Sequence, residues 1–139
     1  RAARGNAPDG VRNLKRLVVR SVEKAEEALR AGDYAQVEHS ARRALKGFPR
    51  HRYGRFFLSV SLLSQGRLEE SIRENERLLS YHPDFDEGWL QLANAYETVG
   101  DPDRALIAYN RLVQRASDPA LRSLAKERRE RLLGEPGGS

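Results

Sequence analysis

The sequence repeats itself at a fixed interval, and this period limits the possible folds more than any other feature. The pairs Gly32-Asp33, Gly66-Arg67 and Gly100-Asp101 are equally spaced, and Pro49 and Pro83 show the same interval. Glycine and proline end helices, because glycine tolerates a left-handed backbone and proline cannot continue the hydrogen-bond ladder. Each repeat is therefore predicted to be a helix pair, and a period of about 34 residues indicates a stacked solenoid.

The same markers predict where the helices end. The first helices end near Ala31, Gln65 and Val99, and the second helices run over about 34–46, 68–81 and 103–115. A last helix over about 119–133 would cap the stack, because it has one apolar side and a charged remainder. We predict a single domain over residues 11–133, with a flexible basic segment at 1–10, repeats at about 18–51, 52–85 and 86–119, and a flexible tail at 134–139.

The residues inside the helices resemble the tetratricopeptide repeat family. The third repeat carries the family pattern most fully, in Trp89, Leu92, Ala93, Tyr96, Gly100, Asp101, Ala105 and Tyr109. The second repeat departs from it at Arg55, where Trp is usual, and at Asn75, and the first has Ser21 and Lys24 in place of Trp and Leu. The resemblance covers about residues 18–119. It implies an all-α fold, a right-handed α-solenoid of three helix pairs plus a C-terminal capping helix.

Each first helix has one side for packing and an opposite side for binding, because a helix turns by about 100° per residue. The resemblance implies that this second side lines a concave surface, where tetratricopeptide proteins hold extended or helical peptides. These inner residues are Val19, Val22, Glu26, Leu29, Tyr53, Phe56, Val60, Leu63, Glu87, Leu90, Asn94 and Glu97. The middle is apolar and the far end is polar. We therefore predict an adaptor or scaffold whose groove takes an apolar or amphipathic segment of another protein.

The apolar middle of this surface, from Tyr53 to Leu63, allows two interpretations. It forms an open groove if the first helix stays clear of it. Alternatively, the first helix begins as early as Val11, and its extension, with Leu14 and Leu17, folds over the stripe and buries it as core. The sequence leaves both interpretations open.

One binding mode of the family does not fit the chain. Tetratricopeptide domains that hold the carboxylate tail of cytosolic heat-shock chaperones use a clamp of Lys, Asn and Arg side chains. The matching positions here are occupied by Val22, Glu26, Phe57, Glu87 and Gln91. None of them supplies a positive charge, so the resemblance does not extend to this clamp.

The net charge of +5 is confined to the start of the chain, since residues 1–20 hold six basic residues and a single acid, Asp9. A second basic cluster spans the end of the first repeat and the start of the second, at Arg42, Arg43, Arg50, Arg52 and Arg55. It could bind an acidic segment or a phosphate. The other interpretation is a solvated turn that is balanced by nearby acids, Glu69, Glu70, Glu74 and Glu76.

Catalytic and metal sites are not indicated. The chain has no cysteine, and its three histidines are not paired at the helical spacing that a zinc site requires. Asp84, Asp86 and Glu87 crowd a helix start, where carboxylates act as caps. We predict no enzyme activity, no metal and no cofactor. We also predict no nucleic-acid partner, because Glu26 and Glu97 on the inner face would repel the phosphates that RNA-binding helical repeats contact.

The first residue is Arg1, not methionine, so we expect a processed product or an excised fragment. A soluble, cytoplasmic protein is favoured. The alternative is a scaffold subunit that is permanently assembled, or tethered to a membrane by an upstream segment, with residues 1–20 against anionic lipid. The partner's identity and the oligomeric state do not follow from the sequence.

Overall fold

A computed structural model describes residues 2–134, with side chains described from Asp9 onward. It contains α-helices and no strand over this range: α1 (Ala2–Ala31), α2 (Tyr34–Gly47), α3 (Arg52–Ser64), α4 (Leu68–Tyr81), α5 (Asp86–Thr98), α6 (Pro102–Arg115) and α7 (Pro119–Gly134). Consecutive helices from α1 to α6 form the three predicted pairs, and α7 packs on α6 at the end of the stack. The all-α solenoid predicted from the sequence is confirmed.

The turn inside each pair depends on glycine. Gly32, Gly66 and Gly100 have φ values of 74°, 79° and 81°, a left-handed backbone that other residues rarely adopt. In the first and third repeats the next residue, Asp33 or Asp101, caps the second helix by accepting a backbone N–H at 3.2 Å. The period of the sequence is therefore the period of these turns.

The two helices of each pair approach closely at small buried residues. Ala25 and Val37 in the first repeat are fully buried, as are their equivalents in the other two, Ser59 with Ser71 and Ala93 with Ala105. The two serines also bond across the pair, since the Ser71 hydroxyl donates to the Ser59 carbonyl at 2.8 Å. Small side chains allow the helix surfaces to interlock at this point.

Arg55 explains how the second repeat dispenses with the usual tryptophan. Trp89 donates its indole N–H to the carbonyl of Pro83 at 2.8 Å. Arg55, at the same position one repeat earlier, donates its guanidinium to the carbonyl of Pro49 at 2.6 Å and also pairs with Glu74. The arginine is almost fully buried, so it takes over both the position and the hydrogen bond of the indole.

The first helices form the inner layer of the solenoid. Successive first helices touch one another, α1 with α3 and α3 with α5, whereas no comparable contact joins α2 to α4 or α4 to α6 in the described part of the chain. Helices that touch their counterparts in the next repeat lie on the inside of the curve. The side chains that α1, α3 and α5 turn away from their partners therefore face the inner surface.

The long first helix packs along α2 and does not fold over α3. It runs without a break from Ala2, so the segment predicted to be flexible, 1–10, is helical from residue 2. Leu14 and Val18 lie against Gly47 at the end of α2, where a Cβ atom on Gly47 would come within 2.6 Å of the Val18 side chain. The predicted tail lies outside the described residues except for Gly134.

Candidate functional site

Four large apolar residues of α3 face the inner surface, and we call Tyr53, Phe56, Val60 and Leu63 the apolar wall. Tyr53 is 42% exposed and the other three are half-buried. Because the extension of α1 packs on α2, it does not cover them. Of the two interpretations left open by the sequence, the structure therefore favours an accessible surface over an internal core.

The buried ring of Phe85 supports the two aromatic residues of the wall, Tyr53 and Phe56. Phe85, only 3% exposed, lies with its centroid 5.5 Å from those of both Tyr53 and Phe56, edge-on to each. Edge-to-face aromatic pairs at this distance add specific attraction to the area they bury. Phe56 also packs against the buried core, as Val22 and Leu29 of α1 do. Contacts with Phe85 and with the buried core therefore hold Tyr53 and Phe56 in place.

The α1 side of the inner surface is basic. Val19 is 54% exposed and lies in a shallow cavity with four cations, Arg12, Lys15, Arg16 and Arg20, and one acid, Glu23. Glu26, one of the predicted inner residues, is exposed and pairs with Arg30 at 3.5 Å. Cations therefore predominate at the end of the surface where the chain begins.

The α5 side is polar, and its side chains are bonded to the helices that follow. Asn94 accepts a hydrogen bond from Arg128 of α7 at 2.7 Å. The Glu97 carboxylate accepts a hydrogen bond from the Tyr109 hydroxyl, and it lies 3.4 Å from the guanidinium of Arg131. Burial and the bond to Glu97 raise the pKa of Tyr109 to about 12, so the phenol remains a donor.

The two remaining residues of α5 differ in exposure. Leu90 packs against the core of the third repeat, and Glu87 is exposed. The third repeat therefore contributes less open surface than the inner pattern of the sequence predicts.

Three residues that support this surface were not predicted: Phe85, Arg128 and Arg131. Phe85 carries only the signal of an apolar residue just before a helix start, between two acids. The arginines carry a clearer signal, because Arg128 and Arg131 lie one full period after Asn94 and Glu97. Extending the period into α7 places them beside those two side chains.

The five arginines of the predicted basic cluster do not share one environment. Arg55 is buried with Glu74, and Arg42 pairs with Glu38 at 2.9 Å. Arg50 stacks on the ring of Tyr81, and Arg52 lies 5.3 Å from the centroid of Phe85. Arg43 lines cavities between α1 and α2. Among the acids expected to balance the cluster, Glu74 does so directly.

Within residues 2–134, no group of three or more His, Cys, Asp or Glu side chains is placed to hold a metal ion. No helix over the same range combines the length and the apolar composition needed to cross a membrane.

Family models of the tetratricopeptide repeat match residues 22–78 and 62–127, and together they span the stack from the middle of α1 to the middle of α7. The chain belongs to the tetratricopeptide repeat family. The interaction module predicted from the sequence is in keeping with this family, whose stacked repeats form extended concave binding surfaces. Comparison with curated protein sequences gave no match.

Solved structures of tetratricopeptide repeat domains share the fold at low sequence identity. The Arabidopsis OM64 TPR domain superposes with a TM-score of 0.76 at 11% identity, covering 86% of this chain and 98% of that one. The TPR2B domain of yeast Sti1, solved as a complex with pHsp70, gives 0.70 at 15% identity, covering 81% and 98%. MamA gives 0.65 at 13% identity, covering 95% and 90%. The TM-scores show a common fold, and identities this low show nothing beyond it.

Proposed function

We propose that this tetratricopeptide repeat protein is an adaptor that holds a segment of another protein on its inner surface, with apolar side chains of that segment against the apolar wall. The observation that carries the proposal is the partial exposure of Tyr53, Val60 and Leu63 on the side of α3 that faces the inner surface. A cluster of large apolar side chains in a concave, open position is the usual mark of an interaction site.

The charges beside the wall define the segment further. Arg12, Lys15 and Arg16 lie at the α1 end, whereas Asn94 and Glu97 at the α5 end already bond to α7. A segment with an apolar centre and acidic residues towards α1 would complement this arrangement. Amphipathic peptides meet these requirements, and they bind grooves through side chains at helical or extended spacing.

Several contacts support a preformed site. The Phe85 ring packs edge-on against Tyr53 and Phe56, and Arg128 donates a hydrogen bond to Asn94. Groups that are fixed before binding lose little side-chain entropy when the partner arrives. We therefore propose that the backbone of α3 moves little on binding.

The proposed partner is a protein and not RNA. Glu26 and Glu87 are exposed on the inner surface, where carboxylates oppose a phosphate backbone. Labelled single-stranded RNA should show no shift in gel mobility at physiological salt, where non-specific attraction to the basic start of the chain is screened.

The proposal is tested by selecting binders from a displayed random-peptide library and measuring their affinity for matched variants. The double variant Tyr53→Ser/Leu63→Ser removes apolar groups from the wall. The control, Ile107→Ser/Leu133→Ser, removes two of the most exposed apolar side chains from α6 and α7. We expect the wall variant to lose about tenfold or more in affinity and the control to lose little.

Circular dichroism must show that both variants keep the helical content of the parent protein. Selected peptides that bind the wall variant as tightly as the parent protein would contradict the proposal. The same conclusion would follow if only the control variant lost affinity.

A further inference from the structure

A basic groove lies between α1 and α2, on the flank of the first repeat that is turned away from α3. Two adjoining cavities of about 450 and 630 Å³ form it, and they share Leu17, His39 and Arg43. Its cationic lining consists of Arg20, Lys24, Arg42, Arg43 and Lys46. No carboxylate lines the groove, and among these cations only Arg42 forms an ion pair with a described residue, Glu38. A third cavity adjoins the groove at Lys24 and Gln36 and carries two acids, Glu27 and Asp33. The cations without a carboxylate beside them are therefore concentrated at the other end of the groove, around Leu17 and Arg43.

The repeat period shows which shape fits against this flank. Arg20 and Lys24 correspond, one repeat later, to Gly54 and Leu58 of α3. Both are buried, and Gly54 packs on Leu45 of the preceding helix, α2. In the second repeat this flank is therefore covered by a helix.

The third repeat shows the same arrangement. The corresponding residues of α5 are Gly88 and Leu92, which are also buried. Gly88 packs on Leu78 and Leu79 of α4. The flank of the first repeat thus has the geometry that receives a helix twice elsewhere in the molecule, but within residues 2–134 no helix lies on it.

The side chains on the open flank determine the charge of a helix that would dock there. Arginine and lysine replace the glycine and leucine of the later repeats, so an uncharged helix would bury cations without partners. An acidic helix supplies those partners through charge-assisted hydrogen bonds. Leu14 and Leu17, 42% and 41% exposed, offer apolar contacts at one end of the groove.

We propose that this groove docks an acidic amphipathic helix of a partner protein, which lies on α1 and α2 as α2 lies on α3. The site is distinct from the apolar wall, which is on α3 and contributes no lining residue to either cavity, although Arg20 also lines the shallow cavity around Val19. The protein would then hold two different segments, one in its concave face and one at the start of its stack.

The test uses two synthetic helices of 14 residues, the length of α2 and α4. Both carry the same leucine stripe and a side-chain bridge that fixes the helix, but one is flanked by glutamate and the other by lysine. Their affinities are measured by fluorescence anisotropy with the full chain. We expect saturable binding of the acidic helix only.

Matched charge reversals locate the binding. Lys24→Glu/Arg43→Glu alters the groove but not the cavity around Val19, and Arg73→Glu/Arg115→Glu makes the same change in net charge at exposed positions of α4 and α6. All four side chains are exposed, so both variants should fold, as circular dichroism can verify. We expect the groove variant to lose about tenfold or more in affinity and the control less than about threefold.

Several results would overturn this proposal. Equal losses in both double variants would show a general charge effect, and no saturable binding of the acidic helix would remove the site. A loss caused by Tyr53→Ser/Leu63→Ser would place the helix on the inner surface. Binding to vesicles of phosphatidylserine and phosphatidylcholine without binding of the acidic helix would indicate a lipid surface instead.

Discussion

In the second repeat Arg55 donates to the carbonyl of Pro49, and in the third Trp89 donates to the carbonyl of Pro83 at the same position of the fold. The two side chains share neither charge nor shape. They share a long reach and an N–H donor at its end. In this chain the position therefore supplies a hydrogen bond to the inter-repeat turn, and the aromatic ring is one of two ways to make it.

The interiors of the same two repeats differ further. Tyr109 is fully buried in the third repeat and reaches Glu97 with its hydroxyl. Asn75, its equivalent in the second repeat, is equally buried, but neither its amide nitrogen nor its oxygen has a hydrogen-bond partner among the described residues. A buried unpaired amide costs about 1–3 kcal/mol. At this position the repeat that carries the apolar wall is thus the less favourable of the two.

The largest expected effect is the difference in unfolding free energy between variants at Tyr109 and at Asn75. Tyr109→Ala should destabilise the protein by about 3–5 kcal/mol, the usual cost of removing a buried aromatic ring. Asn75→Ala should change the stability by less than about 1 kcal/mol, because it removes an unpaired amide and because Ala41 fills the same position in the first repeat. Urea unfolding followed by circular dichroism measures both. Equal losses would show that Asn75 is paired in solution.

The next effect tests the replacement of tryptophan by arginine. Arg55→Met should cost about 2–3 kcal/mol, since the Pro49 carbonyl and the Glu74 carboxylate lose their donor. Arg55→Trp should cost less than Arg55→Met, because the indole can donate to the same carbonyl. The measurement is again the free energy of unfolding in urea. If Arg55→Trp is no more stable than Arg55→Met, the two hydrogen bonds are not equivalent.

A smaller effect concerns the pair Ser59 and Ser71. The double variant Ser59→Ala/Ser71→Ala reproduces the Ala93 and Ala105 pair of the third repeat. We expect it to stay within about 1 kcal/mol of the parent protein, because removing both partners leaves no unpaired hydroxyl. The two single variants complete a double-mutant cycle. A loss of several kcal/mol in the double variant would mean that the serine bonds hold the two helices together.

The features that the sequence predicts well depend on residues close together in the chain. Left-handed glycines at Gly32, Gly66 and Gly100 mark the turns, and helical spacing places Tyr53 and Leu63 on one side of α3. These features require only a period and a rotation angle. They are sufficient to predict the helix pairs and the position of the apolar wall.

The features that the sequence did not predict depend on how loops and neighbouring helices meet. Phe85 precedes α5, and its burial between Tyr53 and Phe56 follows from the path of the turn before that helix. Whether the α1 extension covers α3 depends on the direction of the α1 axis. Gly47 fixes this direction, because its missing side chain lets Leu14 and Val18 approach α2. No local pattern carries this information.

The smallest effect is a pH dependence at the turn of the second repeat, where Arg67 stands in place of the capping Asp101. Burial raises the pKa of Glu38, but hydrogen bonds from Gln65, Arg42 and Arg67 outweigh it and leave the pKa below the ordinary 4.5. A lowered folded-state pKa adds stability above 4.5, which is lost as the pH falls further. Glu38→Gln should therefore flatten the loss of stability between about pH 5 and pH 3. Parallel curves for the two proteins would contradict this.

A crystal structure of the protein with a peptide selected for binding would test the central claim most directly. We expect the apolar side chains of the peptide to lie within contact distance, about 4 Å, of Tyr53, Val60 and Leu63, with its acidic end towards α1. The α3 backbone should match that of the free protein. A peptide bound on the outer faces of α4 and α6, with the apolar wall left in solvent, would contradict the account.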